Sequence, residues 1–320
     1  MQEIVKNQIF VKENESGMRL DKMMSIRFPV IGREEWRKRI LEGSVLLDSK
    51  KARPSRILKK DEPIEFFYQK KEEPDVDFRV KILYEDESLL IFDKPGNLPV
   101  HPSGVYYRNT LHEYLKILYG IRFTPRPAHR LDRETSGILI TCKTRESASV
   151  LQKDFAVRSI YKEYSVIVEG TFPEYINAEG ILIQDSKSEV RKKRRYLNEG
   201  RPEDHKNAET ARSEFYLEKQ YGELSLLRAV IHTGRMHQIR ATLLGLGFPV
   251  VGDKLYGVND TFYIKMIEGI LTEEDLKLLR IRRTALHCSK MEFKHPVSGK
   301  KFCIESNLPD DLKNFLEKLE

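Results

Sequence analysis

Short apolar runs, each long enough for one strand and each closed by a turn signal, recur along this chain from residue 78 onward and constrain what it can become. Arg79–Glu85 and Ser88–Lys94 are two such runs separated by Asp86-Glu87, the pattern of a hairpin, and Pro95-Gly96-Asn97 turns the chain out of the second. Ile138-Leu139-Ile140-Thr141 reads as a buried strand, IYKEYSVIVEG (160–170) alternates, and ELSLLRAVI (223–231) is a further strand. Helical spacing marks 145–158 and MHQIRATLLGLG (236–247), which glycine ends. Strands with helices inserted at intervals predict an α+β domain over residues 78–310, built on a large mixed, mostly antiparallel sheet. Lys187–Lys206 is a charge-dense insertion, read as a surface loop or an extended hairpin. Its cluster Arg191-Lys192-Lys193-Arg194-Arg195 is a candidate phosphate tracker.

A smaller α/β unit is expected over 11–70, with residues 1–10 as a loose arm. Leu20, Met23 and Met24 predict a short amphipathic helix. A second helix is predicted from Gly32 to Leu41, with Ile31, Trp36 and Ile40 sharing a buried stripe and Arg33, Arg37, Lys38 and Arg39 on the polar face. Gly43 breaks it, and short strands follow, with turns at Asp48-Ser49 and Lys60-Asp61. Lys70–Asp75, charged and containing proline, reads as a linker.

The formal charge of +7 fits a polyanionic partner and fits equally a basic enzyme with a small substrate. The N-terminus lacks the apolar segment of a signal peptide, and no apolar run approaches membrane-spanning length. Cys142, Cys288 and Cys303 are odd in number and far apart, as reduced intracellular thiols are; a cytoplasmic, monomeric protein without a membrane partner is expected. Neither these cysteines nor His101, His129 and His237 have metal-ligand spacing, so structural hydrogen bonding is the expected role of the histidines.

Residues 129–137, HRLDRETSG, place one carboxylate, Asp132, among His129, Arg130 and Arg133 at the mouth of the 138–141 strand. Gly137 permits a close backbone approach or a sharp bend there. The string resembles the signature of the RluA-type pseudouridine synthases. Three more segments resemble that family in order: DKPGNLPVHP (93–102), Tyr161-Lys162-Glu163-Tyr164, and TGRMHQIR (233–240), followed by VVGDKLYG (250–257), Leu286-His287 and His295-Pro296. The resemblance spans about residues 80–305. It implies the pseudouridine synthase fold and isomerisation of uridine by glycosidic-bond cleavage and reattachment through carbon 5, without metal or cofactor. It implies Asp132 as the catalytic carboxylate, Arg240 as its ion-pair partner, Tyr164 as the residue packing the uracil or, further, the general base of the final proton removal, and Arg130 as an aid to base flipping. Arg133, Lys94 and Arg235 become candidate RNA contacts.

The 11–70 unit resembles, more loosely, the S-four RNA-binding domain, through Arg19-Leu20-Asp21, the basic second helix, Gly43-Ser44-Val45 and the Asp61 turn. Arg33, Arg37 and Lys38 are then candidate RNA contacts. The combined resemblance implies RNA as partner, with large-subunit ribosomal RNA favoured over transfer RNA. A non-enzymatic RNA-binding or ribosome assembly factor is the rival reading.

Overall fold

The computed structural model describes residues 4–28, 32–69 and 73–320 of the chain. The chain divides into two compact units, one formed by Met1–Pro74 with Pro102–Arg108, the other by Asp75–His101 with Asn109–Glu320.

The first unit runs β1 (Ile4–Phe10), α1 (Leu20–Arg27), α2 (Arg33–Glu42), β2 (Val45–Leu47), β3 (Lys50–Lys51) and β4 (Pro63–Gln69), with sheet order β1-β4-β2-β3. The expected loose arm at 1–10 is corrected over its described part: β1 pairs antiparallel along the whole of β4. Its backbone groups find partners about sixty residues away in sequence, a pairing that local pattern does not announce. In α2, Glu34 and Glu35 sit in the first turn, where negative charge favours the helix dipole, and Gly43 closes it in the left-handed conformation at φ 86°. Trp36 and Ile40 are buried with Leu20, Met23, Met24 and Ile64; Ile31, expected on the same stripe, lies outside the described residues. The 48–49 turn takes positive φ at both residues, the geometry of a tight hairpin between β2 and β3.

The second unit contains β5 (Lys81–Glu85), β6 (Leu89–Lys94), α3 (Leu111–Tyr119), β7 (Arg126–Pro127), β8 (Ser136–Cys142), α4 (Arg145–Ala156), β9 (Tyr161–Glu169), β10 (Tyr175–Gln184), β11 (Arg194–Leu197), β12 (Glu209–Tyr221), β13 (Leu224–Ile231), α5 (Gln238–Gly245), α6 (Thr261–Glu268), α7 (Glu273–Leu279), β14 (Leu286–Lys294), β15 (Lys301–Glu305) and α8 (Asp310–Glu317). Its eleven strands form one sheet in the order β11-β10-β12-β13-β9-β14-β8-β6-β5, with β15 on β14 and β7 on β8. Every pairing is antiparallel except β8 with β14. The fold is α+β on a large mixed sheet. The β5–β6 hairpin turns as expected because the Asp86 carboxylate accepts the N–H groups of Ser88 and Leu89. The 187–206 insertion is the hairpin alternative: β11 returns along β10.

Strand β8 is buried at every residue, which is why its sequence is a continuous apolar run rather than an alternating one. Gly137 opens it at φ 105°, and a Cβ there would lie 2.2 Å from the Cys288 carbonyl oxygen. Glycine is therefore required both for the backbone conformation and for the approach of β14. That crossing sets the turn before β8, residues 129–135, at the end of the central strands.

Candidate active site

The 129–135 turn is fastened from several sides. His129 Nε2 accepts the Ile140 N–H at 3.2 Å, and the Arg133 carbonyl accepts the Leu98 N–H at 3.0 Å. Glu134 is half-buried; its carboxylate takes the Lys254 ammonium at 2.9 Å, Arg133 Nη2 at 2.6 Å and the Thr284 N–H at 2.9 Å. Between these anchors Asp132 projects into a cleft of about 120 Å³, with 36% of its side chain exposed.

Arg240 reaches that cleft from the first turn of α5. Its Nη1 donates to Asp132 Oδ2 at 2.6 Å, while Nε and Nη2 donate to Asp253 Oδ2 and Oδ1 at 2.5 and 2.8 Å. Asp253 is fully buried and is itself pinned, Oδ1 accepting the N–H groups of Leu255 and Tyr256. The helix start is held by Gln238, whose amide oxygen accepts from Thr233 Oγ1 and the Arg235 N–H and whose amide nitrogen donates to the Arg212 carbonyl and Ser213 Oγ. All the roles open to a buried primary amide are thus used. Burial pushes the Asp132 carboxyl up, but the charge of Arg240, with the Arg240 hydrogen bond and Lys192 adding to it, outweighs it and holds the group below the usual carboxylate range. Asp132 is therefore ionised at neutral pH.

Tyr164, on β9 between Ala229 of β13 and Cys288 of β14, lines the same cleft and is half-buried. Burial and the neighbouring Cys288 thiol and Asp132 charge push its phenol well above its ordinary value, so the ring enters the site as a neutral, apolar face. Arg130 is exposed at the cleft edge and makes no ion pair among the described residues. Arg235 also lines the cleft, tied to Glu209 at 3.2 Å.

One expected RNA contact is corrected. Lys94 is fully buried, and its side-chain nitrogen donates to the carbonyls of Pro95, Leu98 and Arg133 at 2.8, 3.1 and 3.2 Å, bracing the 129–135 turn. Arg133 donates Nη2 to Glu134 and to the Met266 thioether and keeps part of its side chain exposed. The basic cluster of the insertion is likewise divided: Lys193 pairs with Asp260 at 2.8 Å and Arg194 with Glu209 at 2.8 Å, while Lys192 lies over the Tyr263 ring, leaving Arg191 and Arg195 facing solvent. In the first unit, Arg33 joins Arg19 on the buried Asp21, whereas Arg37 and Lys38 stay exposed with only 4.0 Å partners. The residues that single-residue reasoning passes over are Asp253, Gln238, Tyr256 and His237. Their motifs stand out in the sequence, but their roles arise from contacts among separate segments.

The profile of the RNA pseudouridylate synthase family matches residues 88–244, which hold Asp132, Tyr164 and Arg240. An RNA pseudouridine synthase of Aquifex aeolicus is 31% identical over 94% of both chains. The ribosomal large subunit pseudouridine synthase D of Xanthomonas campestris is 29% identical over 98% of this chain and 92% of its own. The mitochondrial tRNA pseudouridine(32) synthase of Saccharomyces cerevisiae is 30% identical over 77% of this chain and 52% of its own. Human RNA pseudouridylate synthase domain containing 1 shares the fold, with a TM-score of 0.56 and 21% identity over 77% of this chain and 97% of that one. The chain belongs to the RluA-type RNA pseudouridine synthases and is an isomerase. Among the described residues no group of acidic, histidine and cysteine side chains could hold a metal, and no helix is long and apolar enough to cross a membrane.

Proposed function

We propose that the chain isomerises defined uridines of large-subunit ribosomal RNA, with Asp132 as the catalytic carboxylate. The observation that carries this reading is the 2.6 Å contact between Arg240 Nη1 and Asp132 Oδ2 inside a cleft that Tyr164 also lines. It supplies what the reaction needs: an ionised acid, oriented by one oxygen, with the other oxygen left to attack the sugar or take its proton. The neutral Tyr164 ring packs the uracil. A phenol raised well above 10 is a poor source of phenolate, so packing is the role its surroundings favour. The target base must leave its stack, at a cost of a few kcal/mol, and Arg130 is placed to occupy or brace the space it vacates.

The first unit serves as the S-four-like RNA-binding module, with Arg37 and Lys38 as its phosphate contacts. Ribosomal RNA is favoured by the full-length similarity to a large-subunit synthase; the similarity to a transfer RNA synthase supports transfer RNA as the second reading. Mapping pseudouridines in ribosomal and transfer RNA from cells with the chain present, deleted, or restored as Asp132→Asn tests both. A uridine that loses its mark on deletion and stays unmarked with the variant supports the proposal; full restoration by Asp132→Asn refutes it.

A further inference from the structure

His237 stands beside Asp132 with no part in the chemistry described so far. Its Nε2 lies 3.8 Å from Asp132 Oδ1, the oxygen that Arg240 does not hold, and its Nδ1 lies 2.9 Å from Tyr256 Oη. Tyr256 Oη also accepts the Arg194 N–H at 2.8 Å, and these are its hydrogen-bond partners among the described residues. Tyr256 is fully buried, so where its single proton goes matters. If the imidazole proton were on Nδ1, Oη would accept twice and its own buried proton would have no acceptor, which is unfavourable. If Oη donates to Nδ1, every group is satisfied and the imidazole proton falls on Nε2, the nitrogen facing Asp132.

Two further features fix the ring. Burial pushes the His237 imidazole down to about 4, with Asp132 opposing, Arg240 adding, Asp253 opposing and Lys192 adding, so the ring is neutral at physiological pH. Its backbone is left-handed, φ 57° and ψ 22°, at the N-cap of α5. A non-glycine residue adopts that conformation only against strain, and here it aims the side chain back at the 129–135 turn.

We infer that His237 is a positioning residue, its Nε2–H steering Asp132 Oδ1 while Arg240 holds Oδ2, with the ring oriented through Tyr256 by the Arg194 N–H. The inference rests on the reading of Asp132 as the catalytic carboxylate. A neutral donor sets the direction of Oδ1 without adding a second full positive charge. An imidazolium there would stabilise the carboxylate further and blunt it as a nucleophile or base. At 3.8 Å the two atoms face each other without bonding, and this role requires that the separation shorten into a hydrogen bond when substrate fills the cleft. Because Arg194 begins β11, the same relay connects the 187–206 insertion to the reacting oxygen through Tyr256 and His237.

The test exploits two amides of different reach. The side-chain nitrogen of Gln falls near imidazole Nε2, that of Asn near Nδ1. Purified full-length wild type, His237→Ala, His237→Gln, His237→Asn and Asp132→Asn are assayed for pseudouridine on an unmodified large-subunit ribosomal RNA transcript and on a pool of unmodified transfer RNA transcripts. The expected result is kcat lowered about 10- to 100-fold in the Ala and Asn variants with KM little changed, and Gln within about threefold of wild type. Full activity in His237→Ala, or rescue by Asn and not by Gln, would show that the ring only supports Tyr256 and would overturn the inference. Turnover by Asp132→Asn would instead overturn the assignment of Asp132. The tautomer is read independently of RNA and of any variant's folding from the imidazole nitrogens of the ¹⁵N-histidine-labelled wild-type chain: Nε2–H is expected, and Nδ1–H at His237 refutes the relay.

Discussion

Asp253 holds Arg240 at two points, Nε to Oδ2 at 2.5 Å and Nη2 to Oδ1 at 2.8 Å, so that a single nitrogen, Nη1, is left for Asp132. The arginine is a rigid spacer between a fully buried carboxylate and one that opens to the cleft. Only the planar, forked guanidinium can do this, because an ammonium has no second edge to present.

Arg240→Lys should therefore behave as a disruptive change. Its ammonium can satisfy Asp253 or Asp132, and the loss of kcat on an unmodified transcript should approach that of Asp132→Asn. Retention of kcat within about tenfold would mean that charge alone, without the fork, suffices.

Asp253→Ala removes the buried partner and leaves a desolvated guanidinium, at a cost of about 3–5 kcal/mol. Urea unfolding should show that loss directly. An unchanged midpoint would show that Asp132 alone offsets the burial of Arg240.

Lys94→Met should lower stability by about 1–3 kcal/mol for each of the carbonyls deprived of its donor, without altering the salt dependence of RNA binding. Arg37→Glu with Lys38→Glu should do the opposite: the melting temperature holds, RNA affinity falls, and the salt slope flattens by about one for each phosphate no longer neutralised. A salt slope unchanged in the double variant would remove the helix α2 face from the RNA-binding surface.

Acid should destabilise the fold through two neutral histidines. Burial, with the Lys162 charge adding, pushes His129 down to about 3, and burial pushes His237 down to about 4. Both lie below the value of about 6.5 in an unfolded chain. Below that pH the unfolded state takes up protons that the folded state refuses, so each histidine's contribution is complete above about pH 6.5. It is lost at about 1.4 kcal/mol per pH unit as pH falls toward the folded values. Urea midpoints from pH 7 to 4.5 should drop less steeply in His129→Gln than in wild type; parallel curves would contradict the neutral, buried state of His129.

Much of this architecture is legible in the sequence because it is local. The α2 stripe of Trp36 and Ile40, the Gly43 stop and the Asp86 turn are written in spacing and turn chemistry within a few residues. Gly137 is legible as a need for backbone room, although not which neighbour, Cys288, imposes it. What the sequence hides is non-local. Strand β1 resembles an arm because its partner β4 is far along the chain. Lys94 resembles an RNA contact because a cation in a sequence does not disclose whether buried carbonyls already claim it. Spacing alone gives His237 a structural hydrogen-bonding role, and only the meeting of Arg194, Tyr256 and Asp132 around it shows which of its nitrogens faces the acid.

The most direct test of the central claim is a single-turnover assay of purified wild type and Asp132→Asn at the uridine whose mark disappears on deletion of the chain, with RNA binding measured on the same samples. The account predicts equal RNA affinity and no pseudouridine from the variant. Pseudouridine formed by Asp132→Asn at a rate near wild type would contradict it.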